Sequence, residues 1–86
     1  MELTSLVQTY VKTRDDFVGR IALITQQLNV WTEEHSKTPP SLTDIAQFEG
    51  LRAERSHLLS EFTETEDQFV VHMLQTLSSS VRHTAG

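Results

Sequence analysis

Leu3, Tyr10, Phe17, Ile24 and Trp31 stand seven residues apart at the start of the chain. About seven residues make two turns of an α-helix, so these side chains fall on one narrow stripe of a single long helix. A second series, Val7, Arg14, Ile21, Leu28 and His35, lies four residues further on. Together they form the 3–4 seam of a helix that packs lengthwise on another. The run from about 3 to 35 holds no proline and one glycine, Gly19. That glycine costs about 1 kcal/mol relative to alanine in a helix interior. It suits either the close approach of another backbone or a solvent-facing position.

Ser36-Lys37-Thr38-Pro39-Pro40 ends the run, because adjacent prolines cannot supply the backbone donors a continuing helix needs. Ser41 followed by Asp44 three positions later has the spacing of a helix N-cap with an acid in the first turn. A second helix is predicted from about 42 to 80, with 81–86 as a frayed polar tail. A short break between two long helices predicts an antiparallel hairpin, with residues 1–80 as one domain and 36–41 as its turn. The fold class is therefore all-α, a coiled-coil-like two-helix hairpin.

The second helix is patterned more broadly. Phe48, Phe62 and Phe69 mark the centre of its apolar face, with Arg55 between them in the same series. Ile45, Leu59 and Met73 lie on one side and Leu51 and Leu58 on the other; past Phe69 the apolar positions move to Val70, Leu74, Leu77 and Val81. A face this wide asks for two neighbours, and one helix covers only a stripe. The expectation is that Phe48, Leu51, Arg55, Leu58, Phe62, Phe69, Met73 and Leu77 form a partner interface. It would be filled by a second copy, giving a four-helix bundle, or by a helix of another protein. Leu3, Tyr10, Arg14, Phe17, Ile24, Trp31 and Glu66 are expected in the seam within the hairpin. There Arg14 finds Glu64 or Glu66 opposite, or else snorkels to water. Arg52 and Arg55 have no acid opposite them in the first helix and turn to Glu49, Glu54 or a second chain. Trp31, near the turn, either caps the core against Ile45 and Phe48 or anchors a partner.

Size and charge narrow the possibilities. At 86 residues, with 37% hydrophobic residues and no cysteine, the chain has a marginal core and no thiol chemistry to reinforce it, which favours association. A net charge of −5 with seven scattered basic residues argues against a nucleic-acid ligand. No apolar run is long enough for a membrane span. The opening MELTSLVQTY has no basic and apolar regions of a cleaved leader. A cytoplasmic location is the expectation, and non-classical export, which leaves no such signal, stays open.

Candidate chemistry is sparse. Glu54-Arg55-Ser56-His57 has the Glu-x-x-His spacing of di-iron bundles, but the first helix offers no acid at the facing level. His35, His57, His72 and His83 are otherwise too dispersed to ligate a metal. No G-x-S-x-G elbow and no glycine-rich phosphate loop occurs. Thr63-Glu64-Thr65-Glu66-Asp67 reads as a solvated acidic face. No enzyme activity, no cofactor, no metal and no small-molecule substrate is expected.

In its proline-containing turn, Thr38-Pro39-Pro40-Ser41-Leu42, and its long second helix, the chain resembles type III secretion needle subunits. It departs from them in its regular first-helix heptad and polar last residues. Its plan is also similar to the small Trp-x-Gly hairpins secreted by Gram-positive bacteria, although Thr32 and Glu33 follow Trp31 and that motif is missing. It resembles four-helix RNA-binding dimers as well, without their basic face. The expected role is a non-enzymatic protein–protein interaction module: a small adaptor, chaperone or regulatory subunit. The alternatives are a structural or co-chaperone component of a larger assembly, such as a secretion apparatus, and a nucleic-acid-binding helical dimer.

Overall fold

A computed structural model describes Leu3–Ala85 of the chain, with side chains described for residues 3–79. Two helices, α1 (Leu3–Glu34) and α2 (Leu42–Ala85), pack on one another, and no strand occurs among the described residues. α2 passes the expected stop near residue 80 and carries through the serine run to Ala85, so the backbone of 81–85 continues the helix. The side chains of the expected tail, and Val81 among them, lie outside the described residues.

The turn is closed by side chains at both ends. The Ser41 amide donates to Asp44 Oδ2 at 2.9 Å, and the Asp44 amide donates to Ser41 Oγ at 3.2 Å. This reciprocal pair is a capping box at the helix start that the spacing predicted, and it satisfies two amides that a helix start leaves without partners. At the end of α1, Ser36 donates from both its amide and its hydroxyl to the Glu33 carbonyl.

The helices run antiparallel in one continuous register. Tyr10 stacks on Phe69 with ring centroids 4.3 Å apart, Phe17 on Phe62 at 5.4 Å, and Trp31 meets Phe48 at 4.8 Å. Between these layers Arg55 donates to Thr25 at 3.4 Å. Phe17, Ile24 and Leu28 of α1 and Leu58 of α2 are the buried core, with Ile21, Phe48, Leu51 and Phe62 packed around them.

The seam in α1 drifts. Toward the turn it follows the expected series Ile21, Leu28 and His35. Toward the open end Leu6 and Thr13 are partly buried in place of Val7 and Arg14, which are exposed. The switch occurs where Thr13, Phe17 and Ile21 follow at two successive steps of four, a stutter that rotates the seam around the helix. Arg14 is consequently not a seam residue. Its guanidinium lies beside its neighbour Asp15, at 3.2 and 3.3 Å. Gly19 and Gly50 both face open space, with no atom within 4 Å of where a Cβ would stand. The close-approach reading of Gly19 is thereby replaced by the solvent-facing one.

The result is a thin rod of 70 × 17 × 13 Å with a radius of gyration of 19.9 Å. A compact chain of 86 residues would have a radius of about 12 Å. The rod exposes 6643 Å², where a compact protein of this mass exposes about 5,200 Å².

Candidate functional site

Register decides which part of the broad α2 face remains free. Phe48, Leu51, Leu58 and Phe62 are all packed into the core with α1. Phe69 is stacked on Tyr10, and Arg55 reaches Thr25. These six expected interface residues therefore serve the hairpin itself. One partner helix needs a two-position stripe, and 48, 51, 55, 58, 62, 65 and 69 supply it at alternating steps of three and four. Of the expected interface, Met73 is half-buried and Leu77 is exposed.

What stays outside is the flank beside that stripe. Ile45, Leu59, Val70, Leu74 and Leu77 are each between 45% and 60% exposed. On α1, Val7, Val18, Leu23 and Val30 are similarly open. Single exposed apolar residues are ordinary, but on α2 these recur at helical spacing along one side. Two shallow grooves also run beside the seam. One, about 300 Å³, is lined by residues including Gln26, Val30, Trp31, Gln47 and Leu51. The other, about 280 Å³, lies nearer the open end beside Leu6, Tyr10, Phe69 and His72.

The turn holds the densest polar cluster. Trp31 donates its indole N–H to the Asp44 carbonyl at 3.0 Å and lies tilted against both His35 and Phe48. The geometry is that of a cap over the closed end, with His35 and Phe48 as its neighbours; Ile45, expected under it, is exposed. His35 sets Nδ1 2.8 Å from the Trp31 carbonyl and Nε2 3.3 Å from Asp44 Oδ2. The Asp44 carboxyl is held below its ordinary value, first by the Ser41 amide, then by the Ser41 hydroxyl. The sequence showed Ser41 and Asp44. The part played by His35 was missed, although its place one turn after Trp31 at the helix end was the available signal.

At the other end of the seam, the Tyr10 hydroxyl donates to Glu66 Oε2 at 3.0 Å. Burial of the phenol and the adjacent Glu66 carboxylate both raise its pKa above the ordinary value. Glu66 thus meets α1 through Tyr10, and Arg14 is elsewhere. Arg52 pairs with Glu49 at 3.0 Å on the surface. His57 lies 2.7 Å from Glu61, one turn on, and both are well exposed. Among the described residues, no three His, Cys, Asp or Glu side chains converge as a metal site requires, and no helix is long and apolar enough to cross a membrane.

A scan against family models, a search of curated proteins and a search of solved structures each find no match to this chain.

Proposed function

We propose that the chain is a non-enzymatic protein–protein interaction module, a small adaptor, chaperone or regulatory subunit that works by packing helix against helix. The observation that carries this reading is the apolar flank of α2, where Ile45, Leu59, Val70, Leu74 and Leu77 remain in water after the hairpin has closed. Among the described residues the core holds four buried side chains, which is small for a free-standing domain. A further helix laid on the flank would add the burial the hairpin lacks.

Solution mass tests the proposal. Light scattering across a concentration series is expected to show a mass above the 9.8 kDa of one chain, and Leu59→Glu with Leu77→Glu is expected to reduce it while leaving the helical signal intact. A chain that stays at its single-copy mass throughout, and gives the same signal with an environment-sensitive apolar dye before and after those substitutions, would overturn it.

A further inference from the structure

Resting on the interaction-module reading, we infer that the flank of α2 receives a second copy of the same chain. The copy lies antiparallel along α2 with the twofold axis beside Leu59. Beside the seam, Ile45, Arg52, Leu59, Glu66 and Met73 follow at intervals of seven, which sets them in one line along the helix. All but the half-buried Met73 are exposed. The order is apolar, cation, apolar, anion, apolar, centred on Leu59.

Turned end for end about Leu59, that line is complementary to itself. Leu59 meets the partner's Leu59, Arg52 meets Glu66 of the partner subunit, and Ile45 meets the partner's Met73. By symmetry each contact except the central one occurs twice. A parallel pairing in the same register would set arginine on arginine and glutamate on glutamate, so the charges select the antiparallel form.

The opposite flank of α2 cannot substitute. At the same spacing it reads Gln47, Glu54, Glu61, Gln68 and Gln75, all exposed. That line is polar throughout and carries only negative charge, so two copies of it would repel. The charged members of the apolar flank are also lightly engaged at home. Arg52 is held by the exposed Glu49 within its own helix, a class of pair that contributes little. Glu66 uses Oε2 for the Tyr10 hydroxyl, and its other oxygen can face a second donor.

Area supports a partner of this size. The rod exposes about 1,500 Å² more than a compact chain of its mass. A stable interface takes about 800 Å² from each partner.

Charge exchange on the full-length chain tests the pairing. Arg52→Glu and Glu66→Arg are each expected to weaken self-association about tenfold, since two attractive pairs per dimer become repulsive. The double variant restores it, and the two single variants mixed in equal amounts associate with each other. Because the chain has no cysteine, Leu59→Cys is expected to give one disulfide-linked dimer under mild oxidation, whereas Glu54→Cys on the opposite flank does not. Sedimentation and circular dichroism on every variant separate lost association from lost fold. Association that ignores the charge exchange, with Leu59→Cys uncrosslinked, would overturn this pairing and leave the module reading standing. A wild-type chain that never self-associates would also overturn it, and a foreign helical partner would then be required.

Discussion

Leu58 and Leu59 are neighbours in sequence, but one helix step separates core from flank, and substituting each in turn tests the register. Leu58 is 3% exposed and Leu59 is 47% exposed. Leu58→Ala removes a side chain packed among Phe17, Ile24 and Leu28. Such truncations cost about 2–5 kcal/mol, depending on how far the site relaxes into the gap. A core only two helices thick is open at its flanks and can close inward, which points to about 2–3 kcal/mol. The better helix propensity of alanine offsets a few tenths of that. Stability for a chain of 86 residues is of order 4–13 kcal/mol, so the loss is a large share of the total. With a urea slope of about 1 kcal/mol per molar, the midpoint should fall by about 2 M. Leu59→Ala should change stability by less than about 0.5 kcal/mol when the chain is dilute and monomeric. Its effect should grow with concentration if the flank is covered in the associated form. Urea titrations followed by circular dichroism at two widely separated concentrations read both variants. Equal losses for the two in the dilute limit, or a Leu58→Ala cost below about 1 kcal/mol, would refute the assigned register.

The other predictions concern backbone entropy and acid. Gly19→Ala and Gly50→Ala should each raise stability by about 0.5–1 kcal/mol, since both positions face open space; a fall in melting temperature would mean that another surface occupies that space. Because the folded Asp44 carboxyl titrates below its ordinary value, its contribution is complete above the unfolded carboxylate pKa, about 4. It is lost as pH falls through the lower, folded value. Thermal melts should therefore show no loss from this group between neutrality and about pH 5, then a decline under more acid conditions. In Asp44→Asn that part of the acid decline should shrink, and a variant with the full wild-type decline would count against the cap as its source.

The helices themselves were legible because two signals agreed. Sevens from Leu3 to Trp31 marked α1, and Pro39-Pro40 with Ser41 and Asp44 marked the boundary of α2. Phe17, Ile24 and Leu28 could be placed in the core on periodicity alone. The choice between Leu6 and Val7, or between Thr13 and Arg14, could not be made that way. Adjacent residues differ by about 100° around the helix, and a seam that rotates through two steps of four passes from one to the other. Only the position of α2 resolves it, and Thr65, a polar residue half-buried in that seam, carried no apolar mark to reveal the register. The same indeterminacy explains the reassigned interface. Phe48, Leu51, Leu58, Phe62 and Phe69 looked like surplus on a broad face. The hairpin uses them, and the surplus lies one position around, at Ile45 and Leu59.

The rod is tied unevenly along its length, and this has consequences for how it opens. At the closed end, Trp31, His35, Ser41 and Asp44 exchange hydrogen bonds at the turn, and most of the buried core side chains, Ile24, Leu28 and Leu58, lie in that half. Beyond Phe17 and Phe62 the seam contains Thr13 and Thr65, and the main ties are the stack of Tyr10 on Phe69 and the Tyr10–Glu66 hydrogen bond. Local opening costs least where buried apolar area is smallest. In dilute solution, amide exchange should therefore be fastest at residues 3–9 and 73–79, slower through the Phe17–Phe62 layer, and slowest around Ile24, Leu28 and Leu58. A copy laid across Leu59 would span from Ile45 to Met73, so association should slow exchange toward the open end proportionally more than beside the turn. Uniform protection along both helices in the dilute limit would contradict the graded seam. Added protection confined to the closed end at high concentration would contradict the antiparallel pairing.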